Sequence, residues 1–350
     1  MSAALTERQG PSGTPAGAAS RKLTERVFRI RESGIIAVLV VFVAVTASIQ
    51  PRFIDEANIQ FLLSNTTFYA LLALGETMVV ISRNVDLSVG SVLGLSAYVS
   101  TNLFGQHHGI PIPVVFLVGL GIGLVCGVAN GLMVAIGRVP SLVVTLATLY
   151  IIRGIDILIV GGNEVVAQTL PNSFINIPRA NVFGVPYLAI VIAAVIGAGA
   201  YYLRSFRSGR ELYAMGSNPE AARLAGIPVG KRILVAFTVS GGIAGLAGVL
   251  WAAQYQTIDS TAGTGYELTV ISAVVVGGVA IFGGSGSAVG AAVGALLLST
   301  ISSALNVLGI SPFWDQAIAG FLLLVAITLD RVISLKLVAA LRQRSSGVGT

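Results

Sequence analysis

The chain has 350 residues, 55% of them hydrophobic and only 10% charged, with a formal net charge of +6. A soluble domain carries about 25% charged residues, so this chain cannot clothe a water-soluble globule, and lipid is part of its solvent. Lys and Arg gather at the chain ends and in one internal stretch, a pattern that sets orientation in a membrane and excludes a nucleic-acid-binding face.

Residues 1–32 are polar and rich in Pro, Gly, Ala and Ser, and lack the apolar core of a secretory signal. They read as a disordered cytoplasmic tail. Apolar runs follow at 33–49, 59–82, 88–105, 112–136, 140–160, 186–203, 233–253, 267–282, 287–308 and 314–333. At ~20 residues per span they predict an all-α, polytopic inner-membrane bundle of about ten transmembrane helices. Backbone in lipid must satisfy its own hydrogen bonds, so the runs are helices. A barrel would show short alternating segments instead. Arg83-Asn84-Val85-Asp86 interrupts the stretch 59–105. The transmembrane domain is expected over 33–335, with a polar loop at about 204–232 and a cytoplasmic tail at 336–350.

Charge fixes the expected topology. Arg8, Arg21, Lys22, Arg26, Arg29 and Arg31 precede the first run. Arg204, Arg207, Arg210, Arg223, Lys231 and Arg232 lie in the polar loop, and Arg331, Lys336, Arg342 and Arg344 close the chain. The opposite side has Arg52 and Arg179, and the loop 254–265 has neither Lys nor Arg. Both termini and the polar loop are therefore expected in the cytoplasm. The long outer connection, 161–185, contains Pro171 and Pro178 and has room for a short surface helix.

Small residues recur at helical spacing. Gly119, Gly123, Gly127 and Gly131 form one stripe, and Gly286, Gly290 and Gly294 another. Such faces let helix backbones approach closely, either within the chain or against a second subunit. Val89-Gly90-Ser91-Val92-Leu93-Gly94 echoes Val289-Gly290-Ala291-Ala292-Val293-Gly294, which suggests a duplicated half. The lone Cys126 excludes an intrachain disulfide, and adjacent His107 and His108 lack metal-ligand spacing, so no metal site is expected.

The polar loop has a helix signature. Asn218 can cap a helix whose first position is Pro219, with Glu220 in the first turn and Gly226 as terminator. Arg207, Ser208, Gly209 and Arg210 lead into it. So short a helix does not persist alone in water and needs a grip from the bundle or from a partner. Polar residues at membrane depth are candidates for a solute path: Asn65, Thr66, Thr67, Glu76, Asp86, Ser88, Asn130, Thr145 and Asn306. Glu76 has a second reading as an interface residue within reach of Arg83. Asp86 has one as the cap of the helix beginning near Leu87, and Arg153 and Asp156 are spaced to pair.

Glu220-Ala221-Ala222, three residues and then Gly226 resemble the cytoplasmic coupling motif of ATP-binding-cassette (ABC) importer permeases. The wider run from Ser208 through Gly209, Arg210 and Tyr213 to Asn218-Pro219 resembles the form in the ribose, xylose, rhamnose and autoinducer-2 group. Asp86-Leu87-Ser88-Val89-Gly90-Ser91 agrees, as do Asn130-Gly131 with Val139-Pro140-Ser141 and Thr145-Leu146, and Val276-Gly277-Gly278 through Gly283-Gly284-Ser285-Gly286. The resemblance spans about 35–333; Arg83-Asn84 stands where the group usually has Gly-Gly.

The resemblance implies a permease that is not itself an enzyme. It pairs with a second permease copy or homologue and receives a sugar from an extracytoplasmic binding protein. Through Gly209, Arg210, Asn218, Pro219, Glu220, Ala221, Ala222 and Gly226 it is driven by cytoplasmic ATPase subunits. No Gly-x4-Gly-Lys-Ser/Thr loop occurs in the chain, so ATP and Mg belong on the partner and no cofactor is expected here. A branched-chain amino-acid permease is the alternative, and an ion-coupled secondary transporter the next. The Gly209–Pro219 block favours sugar. An integral membrane enzyme fits least, since no nucleophile–base constellation appears.

Overall fold

The computed structural model describes residues 34–107 and 109–346, with side chains described up to residue 332. The expected N-terminal tail, His108 and the side chains of Lys336, Arg342 and Arg344 lie outside the described parts. Each of the apolar runs forms a helix. The helices are α1 (Gly34–Ile49), α2 (Glu56–Ile81), α3 (Val89–Gln106), α4 (Ile112–Ala135) and α5 (Ser141–Val160). After the outer connection come α7 (Tyr187–Ser205), α10 (Val229–Tyr255), α11 (Tyr266–Val276), α12 (Ala288–Val307) and α13 (Trp314–Ser346). Three short helices stand between them: α6 (Asn172–Ile175) in the outer connection, then α8 (Arg207–Ser217) and α9 (Pro219–Leu224) in the polar loop.

Five helices, α4, α5, α7, α10 and α12, are long and apolar enough on their own to cross a bilayer. Prolines set their starts: Pro111, Pro140, Pro186 and Pro228 immediately precede α4, α5, α7 and α10. The run expected over 267–282 is helical only to Val276, because Gly277-Gly278 end it. At 1.5 Å per residue, α11 covers roughly 16 Å of a ~30 Å hydrocarbon core. Irregular chain that includes the buried Val279 continues the path. In the other direction, α13 passes residue 335 without a break.

Both glycine stripes pack within the chain. Gly123 lies so close to Gly241 of α10 that a Cβ on either would strike the other's carbonyl oxygen. Gly119 faces Gly245 and Val249, and Gly127 faces Phe237. In the second stripe, Gly290 and Gly294 press on the backbone of Gly277 and Ala273.

The packing repeats itself. Helix α4 lies on α10 as α12 lies on α2; α3 touches α10 as α11 touches α2; and α3 joins α4 and α5 as α11 joins α12 and α13. Exchanging α2–α5 with α10–α13 maps this pattern onto itself. Equivalent helices run in opposite directions. The end of α2 and the start of α10 both meet α8, whereas the end of α10 reaches back to Asn65 near the start of α2. The breaks after α2 and α10 match residue by residue. Arg83 and Gln256 both have left-handed backbone, with φ of 67° and 61°. Three residues on, Asp86 Oδ1 accepts from the N–H and hydroxyl of Ser88, and Asp259 Oδ1 accepts from those of Thr261. Asp86-Leu87-Ser88-Val89-Gly90-Ser91 therefore corresponds to Asp259-Ser260-Thr261-Ala262-Gly263-Thr264. The two glycines touch, Gly90 against the carbonyl of Gly263 and the reverse. The duplication is present, but the echo of 89–94 in 289–294 joins α3 to α12, which the packing does not equate. Small residues at four-residue spacing recur wherever helix backbones meet, whichever half they belong to.

Replacing Gly241 with Val should lower the melting temperature of the detergent-purified chain, at a cost of about 1–3 kcal/mol or more. Gly121→Val on α4 should leave it unchanged, since nothing lies within 4 Å of its Cβ direction. Equal melting of the two variants would contradict the packing argument.

Candidate functional site

The polar loop holds two helices where the sequence suggested one. Arg207, Ser208, Gly209 and Arg210 do not lead into the capped helix; they open α8, a separate amphipathic helix that buries Gly209, Leu212, Met215 and Gly216. Gly209 packs on the end of α7, where its Cβ would fall 2.7 Å from Leu203 Cα. At the other end Gly216 rests on the Ile81 carbonyl and the Gly284 amide, and Gly284 N–H donates to Ile81 O at 2.9 Å. Tyr213 Oη donates to Gly286 O at 3.0 Å. Helix α8 is thereby wedged between the end of α2 and the irregular chain before α12.

A charged clamp fixes α8 to α10. Glu211 Oε2 accepts from Arg232 Nε at 2.5 Å and Oε1 from Arg207 Nε at 2.8 Å, with its side chain 8% exposed. The hydrogen bond from Arg232, with that from Arg207, holds the Glu211 carboxyl below the usual glutamate range.

Helix α9 is built as the sequence predicts. Asn218 Oδ1 accepts from the N–H groups of Glu220 and Ala221, both at 3.1 Å, and Pro219 takes the first position. Gly226, at φ 78°, follows the last turn in left-handed backbone that favours glycine. Ala222 is the buried anchor. Glu220 and Arg223 pair with each other at 3.2 Å in the open. The sequence reading gave no weight to Leu224, which is 90% exposed beside them. Nor did it single out Arg83 and Arg138 as functional, yet with Arg223 of α9 they line one cavity of about 720 Å³. Both lie where the chain turns between helices with positive φ. A basic recess thus borders a protruding apolar side chain.

The candidate path residues divide. Glu76, Asp86, Ser88, Asn130 and Thr145 form one buried network around the break between α2 and α3. Glu76 Oε1 accepts from the Asp86 N–H at 3.1 Å, so it turns to the break and not toward Arg83. Asn130 Nδ2 donates to Ser88 Oγ at 2.8 Å, and Thr145 Oγ1 to Val85 O at 3.2 Å. Asp86 braces the turn before α3, while Ser88 occupies the cap position. Asn65, Thr66 and Asn306 are elsewhere. Asn65 accepts from Tyr255 Oη at 2.7 Å, Thr66 bonds back to Leu62 O and lines the α2–α7–α12 groove with Thr67, and Asn306 is exposed near the far end of α12. Arg153 and Asp156 pair at 3.6 Å, and Arg153 also donates to the carbonyls of Ser260 and Ala262. That second role ties α5 to the equivalent break of the other half.

Residues 58–327 match the family model described as branched-chain amino acid transport system / permease component. The chain belongs to this permease family. The permease is a multi-pass protein of the bacterial inner membrane. It is 33% identical over 314 residues to the ribose import permease protein of Escherichia coli strain K12, covering 89% of this chain and 96% of the relative. The ribose import permease of Haemophilus influenzae is 34% identical over 311 residues, covering 88% of this chain and 95% of its own. An autoinducer 2 import system permease of Enterobacter is 35% identical over 298 residues, covering 85% of each. No solved structure matches the permease.

The Glu211 clamp carries a pH signature. A carboxyl held low in the folded state stabilises it at pH above the ordinary glutamate range and loses that contribution as pH falls through the folded pKa. The melting difference between the native chain and Glu211→Gln should be largest at neutral pH and shrink on acidification. A difference independent of pH would show that the clamp is not ionic.

Proposed function

We propose that the permease moves a sugar or sugar-like solute into the cytoplasm, delivered by an extracytoplasmic binding protein and driven by separate ATPase subunits that grip α9. The supporting observation is α9 itself: a helix too short to persist alone, capped by Asn218, anchored by one alanine and presenting Glu220, Arg223 and Leu224 outward. With the polar loop in the cytoplasm, as the charge distribution favours, Arg83, Arg138 and Arg223 border the docking face. The full set Gly209, Arg210, Asn218, Pro219, Glu220, Ala221, Ala222 and Gly226 then divides by role. Gly209 seats α8, Arg210 is an exposed cation on it, and the remainder shape α9.

The sugar reading draws on the ribose and autoinducer 2 relatives, each similar over most of both chains. The family description names branched-chain amino acids. Such a solute brings a carboxylate and an ammonium, and among the described residues the carboxylates of the buried network around Asp86 pair with no cation. In this reading that network shapes the broken helix, and a second permease copy or homologue completes the path.

Glu220→Lys and Gly226→Leu should each reduce ATP hydrolysis stimulated by solute-loaded binding protein to the unstimulated level, in vesicles holding all subunits, with membrane insertion unchanged. Full stimulation in both variants would refute docking at α9.

A further inference from the structure

A cavity of about 770 Å³ opens beside the end of α7, between α8 and the start of α12. Arg204 and Arg210 line it, and among the described residues no carboxylate does. Among the described residues neither arginine has an acidic partner; Arg210 donates to the Ser205 carbonyl, and the nearby Glu211 is committed to Arg207 and Arg232. Leu203, Ala288 and Val289 make the membrane-side wall apolar. Val289 also lines a second groove of about 380 Å³ between α2, α7 and α12, so the two cavities adjoin at this residue. From Arg204 to Ala189, the far end of that groove on α7, the helix rises roughly 22 Å, about the length of an extended acyl chain. The second groove is walled by Ile192, Ile196, Ala292, Val293 and Leu296, with Thr66 and Thr67 as its polar atoms, both already bonded to their own helix.

We propose that these two adjoining cavities together form a binding site for an anionic phospholipid, its phosphate held by Arg204 and Arg210 and one acyl chain laid between α7 and α12. The charge is complementary, since a phosphodiester supplies the anionic partner that neither guanidinium has among the described residues. The rest of the chain is a poor occupant. Helix α1 borders the start of α12, where Ile35 and Ile36 line a small cavity with Val289, Gly290 and Val293. The residues before it carry more Lys and Arg than Asp and Glu, the same sign as the site. The proposal rests on the polar loop facing the cytoplasmic leaflet, but not on the solute or on an ATPase.

The test uses the full chain alone, in nanodiscs of phosphatidylcholine doped with phosphatidylglycerol, read by native mass spectrometry of retained lipid and by exchange of a spin-labelled phosphatidylglycerol. The native chain should retain phosphatidylglycerol over phosphatidylcholine. Arg204→Ala/Arg210→Ala should weaken that preference by about tenfold or more. Gly197→Phe should displace the lipid with both charges intact, because nothing occupies the space beyond the Gly197 Cβ direction. Arg223→Ala, a cation outside the groove, should change nothing. Equal retention of the two lipids by the native chain, or a preference surviving both groove variants, would overturn the proposal. Inorganic phosphate competing as well as the lipid would overturn it too, by showing an anion site without an acyl component. Transport is not measured, so a negative result leaves the permease reading standing, and a failure of ATPase coupling leaves the lipid result standing.

Discussion

Backbone that leaves a helix inside a bilayer must find its hydrogen bonds within the protein, and this permease is organised around where that happens. After α2 and after α10 the chain breaks, turns through a left-handed residue and restarts under an Asp that binds a Ser or Thr two residues on. Glu76, Asn130, Ser141 and Thr145 complete the first break; Arg153, reaching across from α5, completes the second. Gly90 and Gly263 put the two restarts in direct backbone contact, with the Glu267 carboxylate also closing on Gly90. Such a contact tolerates no added atom, so neither break can shift without the other.

Helix α8 sits at the opposite pole of the same argument. Its last turn rests on the end of α2, its middle is hydrogen-bonded to the chain before α12, and its carboxylate is clamped to α10. These are members of both halves. In the proposed function, force applied to α9 would pass through α8 to the two helices that carry the breaks, α2 and α10. That arrangement gives a soluble partner a mechanical route to the membrane interior without any residue of α9 entering it.

Much of this was legible in the sequence, for reasons that can be named. The ten apolar runs were readable because lipid demands them, and the α9 cap was readable because Asn-Pro-Glu and a following Gly each have one local role. Helix α8 was harder to see: its buried face includes two glycines and a glutamate, types that ordinarily mark exposure or a turn, and they are buried only because α7, α2 and α10 come to meet them. The early end of α11 was written in Gly277-Gly278, but hydropathy runs straight through it. The inverted repeat was hidden because its signature is two aspartates and two glycines; the stronger echo, at 89–94 and 289–294, records helix packing instead. Leu224 and the arginines at 83 and 138 gain meaning only from their neighbourhood, which no single segment displays.

The central claim is that the α8–α9 unit is where the driving partner takes hold. Hydrogen–deuterium exchange of the permease in nanodiscs, with and without its ATPase subunit, tests this directly. The account predicts new protection confined to the amides of α9 and the adjoining turns at Arg83 and Arg138, with the already wedged α8 little changed. Formation of the complex with exchange in α9 unaltered would contradict it.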